Sequence, residues 1–217
     1  ARRRARLAGH LFILVFFGIW LIYSSLVESY VMPGPWAVFS RLGLMFTDVH
    51  EIGHMFYSFA HIIASVVISF AIGSGLAFLA HYQGTFERMV HGRLSPFLNS
   101  FSGIGWTFLA IIWFGISDVT VVFVISMVLI PFAIINMREA LANLDQERIE
   151  MSLSFSRSGW RRFRLIILPS LYPFIFATIR ISFGVAWKVA LTAELFGGNT
   201  GLGYMLNLAR QDFDMPL

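Results

Sequence analysis

Long apolar segments separated by short polar connections dominate the sequence. A helix needs about 20 mostly apolar residues to cross a hydrocarbon core of about 30 Å. Segments of this kind occupy residues 11–27, 55–80, 94–117, 119–137 and about 165–196. The pattern therefore predicts an all-α, polytopic transmembrane helical bundle that forms a single domain over residues 1–217. Because the chain stops where another helix would begin, we also expect a sixth span after the C-terminus.

Composition and charge favour a membrane protein and argue against other classes. Of the 217 residues, 57% are hydrophobic and only 13% are charged, with a mean hydropathy of +0.73. This is too apolar for a soluble enzyme. The formal net charge of +4 does not favour nucleic acid as a partner. The chain has no cysteine, so it forms neither a disulfide nor a thiolate metal site.

Arginine residues are distributed unequally between the two sides of a five-span arrangement. Only Arg41 and Arg210 fall on one side. The opposite side carries Arg2, Arg3, Arg4, Arg6, Arg88, Arg93, Arg138, Arg148, Arg157, Arg161, Arg162 and Arg164. Because basic residues in short connections are retained on the cytoplasmic side, the asymmetry predicts a cytoplasmic N-terminus.

Small residues recur every four positions in the second apolar segment, at Ser65, Ser69, Gly73 and Ala77. This spacing puts them on one helix face, and small residues let helix backbones approach closely in lipid. We expect a helix–helix seam there rather than a substrate-lining stripe. Pro131 predicts a kink in the fourth span, and Gly103 and Gly105 predict one in the third.

The connection between the fourth and fifth spans, residues 138–168, is polar but too long for a simple linker. Its apolar residues fall at helical spacing in two short stretches, on either side of Ser156-Arg157-Ser158-Gly159. Ser158 can cap the second stretch. The pattern predicts a cytoplasmic helical hairpin.

Motifs in and around this connection resemble those of one known family. Its loop signature begins with Glu-Ala-Ala, with Gly six residues after the Glu and Leu-Pro further on. That spacing is kept here by Glu150-Met151-Ser152, Ser156, Trp160, Phe163 and Leu168-Pro169, although Met151 and Ser152 replace the alanines and Ser156 replaces the glycine. Further matches are Ile112-Trp113-Phe114-Gly115-Ile116, Arg180-Ile181, Gly184-Val185-Ala186-Trp187, Ala193-Glu194-Leu195 and Gly201-Leu202-Gly203-Tyr204-Met205.

The chain is thus similar to the membrane-spanning permease subunits of binding-protein-dependent type I ABC importers, in the branch that serves nitrate, taurine, alkanesulfonates and thiamine precursors. The resemblance implies a non-enzymatic subunit of the bacterial inner membrane that takes up a small solute, expected to be anionic or sulfonate-like. It implies a second permease subunit, expected to be an identical copy, two ATP-binding cassette subunits, an extracytoplasmic solute-binding protein and surrounding membrane lipid. The sequence contains no Gly-x-x-x-x-Gly-Lys-Ser/Thr loop, so we expect ATP and Mg²⁺ on the partner ATPases and no cofactor in this chain.

In that family the loop carries a short helix that docks into a groove of the ATPase and transmits its motion. Apolar side chains combined with charge suit reversible docking. The resemblance assigns this ATPase coupling to Glu150, Met151, Ser152, Phe155, Ser156, Arg157, Gly159, Trp160 and Arg161. The alternative for this segment is a basic amphipathic helix that lies on anionic lipid.

Ionisable residues in the fifth span are candidates for the translocation path. Arg180, Gly184, Lys188 and Thr192 follow one another at four-residue steps, and Glu194 lies within about 40° of Arg180 on a helical wheel. A charge at membrane depth costs about 2.5–3.5 kcal/mol unless it faces protein or water. We therefore expect all five residues to face a pore, with the cations attracting an anion and Glu194 near the outer gate. The alternative is that Arg180 and Glu194 extend towards opposite membrane surfaces.

His50-Glu51-Ile52-Gly53-His54 matches the His-Glu-x-x-His motif of zinc proteases. A catalytic zinc needs a third protein ligand, which the extended motif places where this chain has Ala60. On a helix, His61 would lie about 16 Å along the axis from His50, too far for one metal ion. A membrane-embedded metalloprotease is therefore kept as the alternative function, but no metal site is expected.

Overall fold

A computed structural model describes residues 2–28, 31–144 and 158–212 of the protein. The helices are α1 (Arg2–Leu26), α2 (Pro35–Met45), α3 (Val49–Tyr82), α4 (Gly84–Met89), α5 (Ser95–Ser100), α6 (Gly103–Phe114), α7 (Asp118–Ala142), α8 (Gly159–Arg162), α9 (Leu168–Gly197) and α10 (Leu202–Asp212). Two π-helices, Val90–Leu94 and Phe163–Ile167, precede α5 and α9. These ranges contain no strand, which confirms the all-α prediction.

Several of these helices can cross a membrane. In the described residues, α3, α7 and the stretch Gly159–Gly197 that contains α9 are long and apolar enough to do so. A further candidate is a broken span, in which Gly84–Ser100 and Gly103–Phe114 are bent by 86°. The apolar part of α1, His10–Leu26, is shorter. These lengths confirm a polytopic helical bundle.

The third predicted span, residues 94–117, is broken, which agrees with the kink predicted from Gly103 and Gly105, although the break lies just before these two residues. Its break lies at Phe101, whose backbone is extended with φ −90° and ψ 133°, and not at a glycine. Ser102 then caps α6, because its Oγ accepts a hydrogen bond from the Gly105 N–H at 3.2 Å. A serine cap satisfies an N–H group that would otherwise lack a partner, so a new helix starts within an apolar run.

The predicted seam of small residues joins α3 to α7. Ser65, Ser69, Gly73 and Ala77 are all buried. A Cβ atom added at Gly73 would lie 2.5 Å from the Ala133 Cβ and 3.0 Å from the Ile130 carbonyl oxygen. The two backbones therefore approach too closely for any larger residue at Gly73, and the seam is confirmed.

The core lies where α9 packs against α3 and α7. It is built from Ile62 and Val66 of α3, from Ala186, Ala190 and Ala193 of α9, and from Val121, Val124, Ile125, Leu129, Ile130 and Ile134 of α7. Small alanines on α9 face large aliphatic residues on α7, which lets the helices interdigitate. This packing fixes the C-terminal end of α9 beside the N-terminal turns of α3 and α7.

Helix α1 lies at the edge of the bundle and contacts α2. The Trp20 Nε1–H donates a hydrogen bond to the Pro33 carbonyl at 3.1 Å, and the Phe17 and Phe39 rings stack at 6.3 Å. Most large apolar side chains of α1 are otherwise exposed. The structure of α1 is therefore suited to an apolar surrounding such as lipid.

Candidate functional site

Glu194, near the end of α9, is a fully buried carboxylate. Its Oε2 accepts hydrogen bonds from the Ser58 hydroxyl at 2.8 Å and from the Gly203 N–H at 2.9 Å. Its Oε1 lies 3.0 Å from the Nδ1 of His61, which must donate because a carboxylate only accepts. Burial of the charge is therefore offset by donors from α3 and α10.

His61 connects this carboxylate to a second one. Its Nε2 lies 3.5 Å from Asp118 Oδ1, and the Thr200 hydroxyl donates to the same oxygen at 2.6 Å. Both ring nitrogens of His61 thus face carboxylate oxygens. We call Ser58, His61, Asp118, Glu194 and Gly203 the polar cluster.

The turn between α9 and α10 wraps closely around the polar cluster. The Gly201 N–H donates to His54 Nδ1 at 3.1 Å, and the Leu202 N–H donates to the Ser58 Oγ at 2.8 Å. Gly201 has a φ of +101°, and a Cβ atom there would overlap the Glu194 carboxylate. At Gly203 an added Cβ would overlap the Leu191 carbonyl oxygen. Glycine at both positions is therefore required by close approach of the turn to Glu194.

The His-Glu-x-x-His motif at the start of α3 is engaged in packing. The Glu51 carboxylate forms an ion pair with Arg41 of α2, and His54 accepts the hydrogen bond from Gly201. The described residues contain no group of three or more His, Cys, Asp and Glu side chains that could hold a metal ion. The metalloprotease alternative is therefore not supported, because Glu51 is held by a guanidinium and the third ligand is missing.

The cationic stripe of α9 lies on the face opposite to its core contacts. Arg180, Gly184 and Lys188 are exposed, and Thr192 is half-buried with its hydroxyl 3.3 Å from the Lys188 carbonyl oxygen. Arg180 is near the middle of this helix, about 18 Å along the axis from its first residue. Two positive charges are thus exposed along a helix of membrane-spanning length.

The expectation that Glu194 shares this stripe is wrong. Each four-residue step rotates by about 40°, so the stripe turns by about 120° between Arg180 and Thr192. At the end of α9 the exposed face has therefore moved away from the direction of Arg180, and Glu194 falls on the buried face with Ala190 and Ala193. The structure brings Glu194 together with α3 and α10 instead of the stripe.

The predicted ATPase-coupling residues are only partly within the described chain. Glu150, Met151, Ser152, Phe155, Ser156 and Arg157 lie outside the described residues. Gly159, Trp160 and Arg161 open α8, where the exposed Trp160 ring stacks on Phe163 with centroids 5.9 Å apart. Phe163 in turn contacts Phe78 near the end of α3, also at 5.9 Å. Ser58 and Phe78 are separated by about 30 Å along α3, so α8 and the polar cluster lie at opposite ends of that helix.

Comparison with known proteins agrees with this architecture. Residues 10–217 match the family described as the binding-protein-dependent transport system inner membrane component. The chain belongs to this permease family. The family resemblance found in the sequence motifs is thereby confirmed, and the protein is a transmembrane permease of an ABC importer.

Three relatives illustrate the similarity to transport permeases. The putative aliphatic sulfonates transport permease protein SsuC of Bacillus subtilis strain 168 is 27% identical over 215 residues, which cover 97% of this permease and 76% of the relative. The taurine transport system permease protein TauC of Escherichia coli strain K12 is 24% identical over 193 residues, 85% of this permease and 69% of the relative. The riboflavin transport system permease protein RibX of Chloroflexus aurantiacus is 31% identical over 109 residues, 50% and 41% of the two chains. The first two names confirm the sulfonate and taurine branch.

Proposed function

We propose that this permease takes up a small anionic solute of the sulfonate type and that the exposed stripe of α9 lines its path. The observation that carries the proposal is the exposure of Arg180 and Lys188 on a helix long enough to span the membrane. An ionised side chain in contact with lipid costs about 2.5–3.5 kcal/mol at the centre of a span. A second permease subunit facing this stripe across a hydrated path removes that cost. The pair is then a homodimer in which each copy contributes one cationic stripe.

The chemistry of the stripe suits a sulfonate. A guanidinium presents several N–H donors in a planar fork and an ammonium is a compact positive charge, so both attract an anion that keeps its charge at any physiological pH. Gly184 between them has open space beside it, which leaves room for the solute. The names of the sulfonate and taurine relatives support this choice of substrate class.

Energy for transport comes from ATP bound to two partner ATPases, which grip the connection between α7 and α9. The exposed Trp160 and Arg161 and the neighbouring Glu150, Met151, Ser152, Phe155, Ser156, Arg157 and Gly159 form the docking segment. This end of the bundle and the N-terminus are then cytoplasmic. Closure of the ATPases tilts the attached helices and alternates access to the path.

The polar cluster and α2 lie at the other, extracytoplasmic end in this arrangement. A solute-binding protein delivers the solute there, next to the Pro-rich segment that leads into α2. Glu194 does not touch the path. It holds the α9–α10 turn against α3, so that the outer mouth keeps its shape.

Uptake by the assembled transporter tests the proposal. The permease is reconstituted into proteoliposomes with its ATPase and binding protein, and uptake of radiolabelled taurine or an alkanesulfonate is measured for Lys188→Met and Arg180→Met. We expect each variant to lose at least tenfold in uptake while still assembling with the ATPase. Arg93→Gln, which removes an exposed arginine on the π-helix before α5, is the control and should transport normally. Unchanged uptake by both α9 variants would refute the proposed path.

A further inference from the structure

A cavity that is separate from the stripe and from the polar cluster lies at the far end of α3. Its volume is about 240 Å³, and it opens between the last turns of α3 and α7, helix α4 and the following π-helix. The apolar lining consists of Ala77, Ala80, Leu141 and Ala142, and the polar lining consists of His81, Glu87, His91 and Arg138. The cavity is smaller than the pockets of about 300–1,000 Å³ that hold drug-sized ligands, so it suits a small polar group.

The polar side chains around this cavity carry both signs of charge, and those of His81, Glu87 and Arg138 are exposed. Among the described residues, the ion pairs are those of Arg41 with Glu51 and of His61 with Glu194 and Asp118. Neither Glu87 nor Arg138 takes part in one. Their hydrogen-bonding capacity is therefore directed to solvent or to a ligand.

The local backbone creates this arrangement. Ala77 and Ala80 are almost completely buried and end at Cβ, which leaves the space that a larger residue would fill. The π-helix Val90–Leu94 adds a residue per turn relative to an α-helix and carries His91 to the cavity. Short π-helical segments are uncommon and occur frequently at functional sites.

We propose that this cavity binds a phosphorylated amine, that is, a small group that carries both a phosphate and an ammonium. The Arg138 guanidinium and the imidazole N–H groups of His81 and His91 donate to the phosphate oxygens, and the Glu87 carboxylate accepts from the ammonium group. The Glu87 carboxylate would repel a simple anion that carries no ammonium group. A metal ion is disfavoured because no three-ligand group is present in the described residues.

A ligand that carries both a phosphate and an ammonium group has two sources. One is the headgroup of phosphatidylethanolamine in the membrane, and the other is soluble phosphoethanolamine. Two measurements on the purified full-length chain distinguish them. Calorimetric titration in detergent with phosphoethanolamine, inorganic phosphate and ethanolamine measures binding of the soluble forms. Native mass spectrometry after transfer from nanodiscs of phosphatidylethanolamine, phosphatidylglycerol or phosphatidylcholine measures which lipid stays bound.

We expect phosphoethanolamine, free or as the lipid headgroup, to bind at least tenfold more tightly than phosphate or ethanolamine alone. Arg138→Gln should weaken binding at least tenfold, with Arg138→Lys intermediate, and Glu87→Gln should abolish the preference over phosphate. Arg88→Gln is the matched control, because Arg88 is the exposed neighbour of Glu87 on α4 and does not line the cavity.

Retention of phosphatidylethanolamine alone would identify the lipid as the source, and binding of the soluble compound alone would identify the free form. The proposal is refuted if the wild-type chain binds neither, if it binds phosphate as well as phosphoethanolamine, or if Arg88→Gln and Arg138→Gln weaken binding equally.

Discussion

Replacement of Glu194 tests whether the polar cluster stabilises the end of the bundle. Glu194→Ala removes the acceptor for the Ser58 hydroxyl, the Gly203 N–H and His61 Nδ1 at once. Glu194→Gln keeps one oxygen for Ser58 and Gly203, and its amide group can donate to a neutral His61 of the opposite tautomer. The two variants therefore separate loss of the charge from loss of the acceptors.

The magnitudes follow from the burial of these groups. Removal of a buried carboxylate costs about 3–5 kcal/mol, because the buried groups that were bonded to it are left uncompensated. Exchange of charge-assisted for neutral hydrogen bonds costs about 1–2 kcal/mol. For a chain of this size each kcal/mol lowers the unfolding midpoint by about 2–4 °C. We expect a midpoint lower by about 6–20 °C for Glu194→Ala and by about 2–8 °C for Glu194→Gln.

Thermal unfolding in detergent, followed by tryptophan fluorescence, measures these shifts. Thr192→Ala is the control on the same helix. Within the described residues, the Thr192 hydroxyl bonds to the Lys188 carbonyl of its own turn alone, so the variant should change stability by about 0.5 kcal/mol or less. Equal midpoints for Glu194→Ala and the wild type would show that the cluster does not stabilise this end of the bundle. Equal losses for the Ala and Gln variants would show that the charge alone matters.

Three other predictions concern the helix seam, the turn and the coupling segment. Gly73→Ala should destabilise the chain by about 1–3 kcal/mol in thermal unfolding, because the added Cβ meets Ala133. Gly75 has open space around it, so Gly75→Ala should be neutral or stabilising. Equal effects of the two substitutions would contradict the seam. Gly201→Ala should lower the free energy of unfolding by at least about 1–3 kcal/mol because of the positive φ alone. Thermal unfolding measures this loss, and a variant as stable as the wild type would contradict the close turn. The chain has no native cysteine, so Met151→Cys or Phe155→Cys gives a unique thiol that should cross-link to a cysteine in the ATPase groove; no capture at either position would count against ATPase docking.

The lengths and positions of the helices were largely predictable, because a span must carry about 20 apolar residues and this requirement is local in sequence. A kink in the third span was predicted from Gly103 and Gly105, but its position at Phe101 and Ser102 was not. A serine followed by Gly-x-Gly within an apolar run is the signal that could have indicated it.

The polar cluster could be predicted only in part. Glu194 and His61 attract attention as polar residues in apolar segments, but they are 133 positions apart, and no local pattern pairs them. The available signals were Ser58 and His61 one helical turn apart and Gly201 and Gly203 soon after Glu194. The helical wheel misplaced Glu194 because a stripe with a four-residue repeat gradually winds around the helix.

The turn between α9 and α10 has a mechanical consequence. Three successive N–H groups, those of Gly201, Leu202 and Gly203, are bonded to side chains of α3 and α9, so the turn is tied to both helices at three consecutive positions. A conformational cycle that keeps these bonds needs its hinge elsewhere. Such a cycle carries the α9–α10 turn and the adjoining part of α3 together.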